Sequence, residues 1–281
     1  VWTILGVLNW TEQRFRERGL SSPRLDAQLL LADVLARDRV FLYTHFDQPL
    51  GPAELARYRG LIQRRLQGEP VAYLVGKKEF RSLMLEVDAR VLVPRPDTET
   101  LVDVALTLLP SEGASRIVDV GTGSGAVALA IKKERPEAEL FAVERSPDAA
   151  AVARKNAERL GLAVTVLEGD LLAPVAAQAP FTLIVSNPPY IPSDEIARLA
   201  PEVRKEPVAA LDGGRDGLDV IRRLVKEAPP LLAATGALAL EVGAGQAAAV
   251  SALFAADGRY ATATATPDLG GIDRVVAARL R

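Results

Sequence analysis

The chain has 281 residues, close to half of them hydrophobic, and a formal net charge of −2. That length suits one large domain beside a small one, each with a proper core, and the charge gives no reason to invoke an acidic tail or a nucleic-acid coat. The absence of cysteine and a single histidine, His45, exclude disulfides, thiolate catalysis, Cys-ligated zinc and His-pair metal sites, so no metal is expected.

The first stretch, residues 1–10, is apolar but short and has no basic leader. It is expected to be neither a signal peptide nor a membrane span, and a soluble cytoplasmic protein is the default. Residues 1 to about 70 read as helices. Ser22-Pro23 opens an apolar run through Leu25, Leu29, Leu30, Val34 and Leu35, with the cap, the early proline and the spacing of an amphipathic helix. Pro52 opens another through Leu55, Tyr58, Leu61, Ile62 and Leu66, ending near Gly68. Residues 1–90 carry a net charge of +3 and the remainder −5, which reads as a solvated helical surface before it reads as a nucleic-acid face. His45 reads as a packing or surface residue. Residues 80–93 alternate imperfectly around Asp88-Ala89, which predicts a hairpin linking two domains. Asp97 or Thr98 is placed to cap a helix running to Leu109.

From Ser115 the pattern is strand then helix, repeated. Strands are predicted at 116–120, 140–144, 164–167, 181–186 and 236–242, and helices at 126–133, 148–160 and 218–228. Two further strands, 260–266 and 274–280, flank Asp268-Leu269-Gly270-Gly271, and 244–256 is an Ala-rich patch. Such alternation predicts a doubly wound, mostly parallel α/β sheet with its ligand at the carboxyl ends of the strands. The expected division is a helical domain at 1–76, a linking hairpin at 77–96 and an α/β domain at 97–281.

Asp119-Val120-Gly121-Thr122-Gly123-Ser124-Gly125-Ala126 lies at a strand-to-helix turn, where glycine permits a tight turn and close approach of a ligand to bare backbone. Glu144, about 20 residues on, stands where a carboxylate would accept ribose hydroxyls. Both features suit NAD or S-adenosylmethionine. Two observations favour the latter. Asp119 suits a positively charged ligand better than a pyrophosphate, and the strand at 181–186 ends in Asn187-Pro188-Pro189-Tyr190. An amide or exocyclic amine nitrogen is a poor nucleophile because its lone pair is delocalised. Asn187 offers a side-chain oxygen to an N–H of such a group, and carbonyls that precede proline are held rigidly. Tyr190 offers a flat face for stacking. In-line methyl transfer depends mainly on alignment and requires no metal and no general base of unusual pKa.

On these residues the sequence resembles the protein-glutamine N5-methyltransferases that modify peptide chain release factors (the HemK/PrmC family). The likeness spans nearly the whole chain. It takes in Gly68 to Gly76, Glu79-Phe80, Val93-Pro94-Arg95-Pro96-Asp97-Thr98-Glu99 and the two loops above. It continues through Glu206-Pro207, Leu211 to Leu218, Glu241-x-Gly243-x-x-Gln246 and Asp268 to Val275. The resemblance implies a class I, Rossmann-like methyltransferase with a seven-stranded sheet. It implies the glutamine of a Gly-Gly-Gln loop as substrate and a helical domain that helps to dock the release factor. Cofactor contacts would fall on Gly121, Thr122, Gly123, Ser124, Gly125, Glu144, Asp170, Leu171 and Asn187, with Asp170 near the adenine. Substrate contacts would fall on Asn187, Pro188, Pro189 and Tyr190. S-adenosyl-L-homocysteine would be the product, and a monomer with no nucleic-acid substrate is expected. Glu144 stands where many relatives have Asp, and Leu171 where an aromatic often lies. Arg95, Asp97 and Glu99 read as surface charges about a helix cap nearly as readily as site residues. The other reading is an amino-methyltransferase acting on adenine or guanine, which shares the Asn-Pro-Pro-Tyr loop.

Overall fold

A computed structural model describes residues 1–110, 113 and 115–281. They fall into two compact units, residues 1–77 with 200–205, and 78–199 with 206–281. The hairpin belongs to the second unit, and a short return of the chain, 200–205, belongs to the first.

The first unit is helical: α1 (Ile4–Glu17), α2 (Pro23–Leu35), α3 (Arg39–Thr44), α4 (Pro52–Leu66) and α5 (Val71–Val75). Thr3 caps α1 by accepting from Gly6 N–H at 3.2 Å, and Ile4, Val7, Leu8, Thr11 and Phe15 then bury one face at helical spacing. Pro52 starts α4, and Glu54 reaches back to accept from Gly51 N–H at 2.7 Å. Arg65 is buried on α4 between Asp26 (2.8 Å) and Glu202 (2.6 Å), so the ion pair with Glu202 fastens segment 200–205 to this unit. His45 is exposed and stacks on Phe41 with ring centroids 4.0 Å apart.

The hairpin follows, β1 (Lys77–Phe80) and β2 (Leu83–Glu86), all of it but Lys77 in the second unit. Their turn falls on Arg81 and Ser82, at φ +46° and +57°, not on Asp88-Ala89. The left-handed positions of this hairpin hold residues that do not advertise them, whereas Asn or Gly would have. After α6 (Glu99–Leu108) come β3 (Arg116–Val120), α7 (Ala126–Glu134), β4 (Glu139–Glu144), α8 (Pro147–Leu160), β5 (Thr165–Glu168) and β6 (Phe181–Ser186). The chain ends with α9 (Asp219–Glu227), β7 (Leu232–Glu241), α10 (Ala247–Asp257), β8 (Thr264–Pro267) and β9 (Asp273–Arg279). Thr98 makes no side-chain cap for α6, contrary to expectation, because its hydroxyl is engaged elsewhere. Helix α10 occupies the Ala-rich patch, where uniform small residues hide helical periodicity while Ala247, Val250 and Phe254 are buried. Strand β8 starts later than expected. Tyr260 forms only an isolated bridge with Leu280, and its buried ring packs edge-on against Phe254.

The seven strands run in the order β5-β4-β3-β6-β7-β9-β8. The first five are parallel, and β9 is antiparallel to both its neighbours. Strands β3, β4 and β6 are almost wholly buried, as expected for a sheet covered on both faces. The chain order reverses between β3 and β6, so a crevice opens at their carboxyl ends. No helix among the described residues is long and apolar enough to cross a membrane.

Candidate active site

The carboxyl ends of β3 to β6 meet around a cleft of about 550 Å³. The turn after β3 passes through left-handed backbone at Gly121, Gly123 and Gly125, with φ of +74°, +56° and +87°. At Gly125 a Cβ would also lie 3.0 Å from Leu129 Cδ1, so this glycine lets α7 start hard against its own first turn. Gly121 and Gly123 line the cleft. Thr122 and Ser124 line a smaller cavity of about 50 Å³, which shares Gly121, Gly123 and Asn187 with the cleft. Gly125 lines neither.

Glu144, at the end of β4, lines the cleft and braces the turn. Gly123 N–H donates to its Oε2 at 2.9 Å, and Ser146 N–H to its Oε1 at 3.0 Å. Each oxygen keeps a lone pair for a ligand hydroxyl. Asp119 does not line the cleft. It is buried beneath the turn, where its Oδ2 accepts from Thr122 Oγ1 (2.6 Å) and Ala128 N–H (3.2 Å). Burial pushes its pKa up to about 6, against those hydrogen bonds. Its place is thus to tie the glycine turn to α7. The loop after β5 adds Asp170 and Leu171 to the cleft wall. Asp170 pairs with Arg223 at 2.8 Å, and Leu171 holds a left-handed φ of +46°, a strained position for a branched side chain.

Asn187, Pro188 and Pro189 follow β6 directly and line the cleft. Ser186 Oγ donates to Val120 O at 2.7 Å, which locks the ends of β6 and β3 together. Beyond the loop, Ile191 exchanges backbone hydrogen bonds with Leu211 and Gly213. A Cβ on Gly213 would lie 2.7 Å from Pro189 O, so only glycine lets this strand of chain pass the loop. Tyr190 lines neither cavity. Its ring packs against the sheet's core, beside Gly243, and its carbonyl accepts from Gln246 Nε2 at 2.9 Å. Burial pushes the phenol up to about 12. Tyr190, the residue expected to stack on a substrate, thus lies partly buried against the core and outside both cavities.

No local pattern announces the scaffold around Asn187. Its Nδ2 donates to Thr98 Oγ1 at 3.1 Å, across 89 residues of chain. The segment that carries Thr98 is held at both sides. Arg95 pairs with buried Glu206, which also accepts from Val93 N–H at 3.0 Å, and Asp97 pairs with Arg274 at 3.0 Å. Arg95 and Asp97, left open between surface charge and site residue, therefore hold this segment in place. The signal was present in the motifs around residues 95–98, 206 and 274, but their mutual pairing was not. Residues 90–92 and 207–210 also line the cleft, and of these only Pro207 stood in a motif.

Two family descriptions match the chain: the PrmC N-terminal domain over residues 6–76 and the methyltransferase small domain over residues 98–212. The chain is 47% identical over 281 residues to the release factor glutamine methyltransferase of Geobacter sulfurreducens, covering 100% of this chain and 98% of that protein. It is 42% identical over 274 residues to that of Moorella thermoacetica, covering 97% of this chain and 96% of that protein. Among solved structures, the T. thermophilus 16S rRNA N2 G1207 methyltransferase, in complex with AdoMet and guanosine, is similar with a TM-score of 0.53 at 18% identity. That match covers 73% of this chain and 50% of the other, a likeness of fold.

Proposed function

We propose that this chain, which belongs to the family of release factor glutamine methyltransferases, transfers the methyl group of S-adenosylmethionine to a glutamine side-chain nitrogen. The nitrogen is N5 of the glutamine in the Gly-Gly-Gln loop of a peptide chain release factor. The observation that carries this reading is the meeting of Glu144 and the Asn187–Pro189 turn on a single cleft.

The residues present fit the cofactor. A volume of about 550 Å³ lies within the usual span of small-molecule sites. Glu144 can accept two hydroxyls, Leu171 and Val143 offer apolar surface, and the turn at Gly121–Gly123 leaves bare backbone for a ligand. When bound, S-adenosylmethionine supplies an electrophilic methyl group on a positively charged sulfur. Asn187 Oδ1 accepts one N–H of the glutamine amide, and a rigid backbone carbonyl ahead of proline accepts the other. These two bonds draw the amide lone pair out of conjugation and aim it at the methyl carbon. Alignment of this kind is worth roughly 7–11 kcal/mol of barrier in favourable intramolecular systems. Tyr190 buttresses the loop from below.

The helical unit is assigned to docking the release factor. This is supported by the exposed Trp2 and Trp10 beside a groove of about 530 Å³ on that unit. A cytoplasmic monomer without a nucleic-acid substrate completes the reading, and the net charge of −2 offers a nucleic acid little to bind. The test is transfer of label from S-adenosylmethionine to a release factor, to the same factor with its loop glutamine replaced, and to duplex DNA or RNA. Label on the intact factor alone is expected. Label on nucleic acid would keep the role of the loop and overturn the substrate.

A further inference from the structure

The transfer just described makes no use of one acid on the cleft wall. Asp212 lines the cleft and is half-buried. Two donors converge on a single oxygen of its carboxylate. The Ser193 hydroxyl donates to Oδ1 at 2.7 Å, and Gly214 N–H donates to the same atom at 2.9 Å. The Ser193 hydroxyl, and after it the Gly214 N–H, hold the group below the usual carboxylate range, so it carries its charge at neutral pH. Oδ2 accepts nothing from the described residues, and no Lys or Arg among them pairs with Asp212. The other acids on this wall are differently placed. Glu144 has both oxygens engaged by N–H groups, and Asp170 is neutralised by Arg223. Of the acids lining the cleft, Asp212 alone joins an unused oxygen to an unpaired charge.

Backbone pairing fixes where Asp212 stands. Ile191 N–H donates to Leu211 O at 3.0 Å and Gly213 N–H donates to Ile191 O at 2.9 Å, so Asp212 lies opposite Ile191 in a parallel bridge. It is thus tied to the segment that leaves β6 through Asn187, Pro188 and Pro189. Glu144 ends β4, and β3 lies between β4 and β6 in the sheet. A cofactor whose ribose meets Glu144 has to cross the end of β3 to bring its methyl group to Asn187. Asp212 then falls beyond that methyl group, on the side from which the acceptor comes. Its neighbours on the wall, Ala209 and Ala210, are small and leave room there for a main chain.

An ionised carboxylate can only accept hydrogen bonds, so a charged oxygen with no cation calls for N–H donors. A Gly-Gly-Gln loop supplies them. The residues ahead of its glutamine carry no Cβ, so a carboxylate can reach their main-chain N–H groups with no side chain in between. Hydrogen bonds to an ionised oxygen are roughly twice as strong as neutral ones. We propose that Asp212 is a substrate-binding residue, whose Oδ2 accepts a main-chain N–H of the glycine pair while Asn187 holds the glutamine amide. The acceptor is then gripped at two points, its main chain and the end of its side chain. The proposal rests on the release-factor reading of the cleft.

Asp212→Asn separates this role from a bracing one. Its Oδ1 can keep the bonds from Ser193 and Gly214, while an NH₂ group takes the place of Oδ2 at nearly unchanged volume. The loop is therefore held as before, and the free acceptor becomes a donor. KM for a release factor is expected to rise about tenfold or more, the worth of a hydrogen bond to a charged group. The value of kcat, the cofactor Kd from calorimetry and the urea midpoint are expected to change little, by less than about threefold for the first two. A KM within about twofold of wild type would overturn the proposal. A cofactor affinity that falls as far as KM rises would give the carboxylate to the cofactor's ammonium group, and would overturn it too.

The second test works from the acceptor's side. A release factor assembled by peptide ligation can carry N-methylglycine in place of each loop glycine in turn, which deletes one main-chain N–H. One of the two replacements is expected to raise KM with the wild-type enzyme by about tenfold or more, and to raise it little further with Asp212→Asn, because the partner is already lost. Losses that multiply independently at both positions would mean that Asp212 and the glycine N–H groups do not meet, and would overturn the proposal. The two readings fail in different ways. A wild-type enzyme that labels no release factor ends the functional reading and this proposal with it. A wild-type enzyme that labels one, beside an Asp212→Asn variant that does so with the same KM, ends the proposal alone.

Discussion

Replacing Asn156 with alanine removes a fully buried side chain on α8 that makes three hydrogen bonds. Its Oδ1 accepts from Glu86 N–H at 2.7 Å, and its Nδ2 donates to Glu86 O and Ser124 O, both at 2.9 Å. One amide therefore joins the hairpin to the glycine turn. Glu86 is half-buried, so water can take over part of its backbone hydrogen bonding, and its two bonds are worth ~1 kcal/mol each. Ser124 is 4% exposed, and its stranded carbonyl costs ~1–3 kcal/mol. The sum is about 3–5 kcal/mol, a shift in the folding equilibrium on the order of a hundredfold or more. Asn156→Asp should be no better, because it turns a carboxylate onto two carbonyl oxygens. Both tryptophans, Trp2 and Trp10, lie in the other unit. Hydrogen exchange at β3 and α8 amides in a urea series is therefore the assay, with cofactor affinity measured by calorimetry. Affinity should fall as well if the turn that carries Ser124 holds the cofactor as proposed. A loss below about 1 kcal/mol at unchanged denaturant dependence, or an aspartate variant as stable as wild type, would refute the reasoning.

Asn187→Ala is expected to abolish methyl transfer to a release factor while calorimetry still records cofactor binding. A near-normal rate would remove the hydrogen-bonding role. Glu144→Ala should weaken cofactor binding by about tenfold or more, because it strips partners from Gly123 and Ser146 N–H as well as from the ligand. Asp119 makes stability depend on pH with a definite sign. Its folded pKa, about 6, lies above the ordinary 3.8. The folded state therefore holds the proton longer, and this contribution to stability is lost as pH rises from about 4 to 6. Urea midpoints measured across that window should decline less in Asp119→Asn than in wild type. Asp216, whose carboxyl is lowered to about 2 by its hydrogen bond from Arg222, acts below the window and does not mask the effect.

Much of the fold could be read along the chain, because the signals that specify it are local. The buried runs at 116–120 and 181–186 match β3 and β6 residue for residue, since a covered parallel strand must be apolar along its length. Early prolines and helical spacing located α2 and α4 in the same way. The order of strand, turn and helix required a crevice at the carboxyl ends, and the glycine turn, Glu144 and the Asn187 loop do line one. Elsewhere local chemistry is silent or ambiguous. The hairpin turns on Arg81-Ser82, α10 is hidden in alanines, and Thr98 spends its hydroxyl on Asn187 instead of on a helix cap.

Residue identity and spacing were thus enough for the class of fold, the position of the cleft and the chemistry gathered at its rim. Folding in three dimensions decided which side chains face that cleft and which support it. Tyr190 packed against the core, Asp119 went beneath the turn, and Asn187 met a threonine 89 residues away. The reason is physical. Strand and helix periodicity are carried by neighbours in sequence, whereas the direction of a hydrogen bond depends on which group the packed sheet brings to its other end.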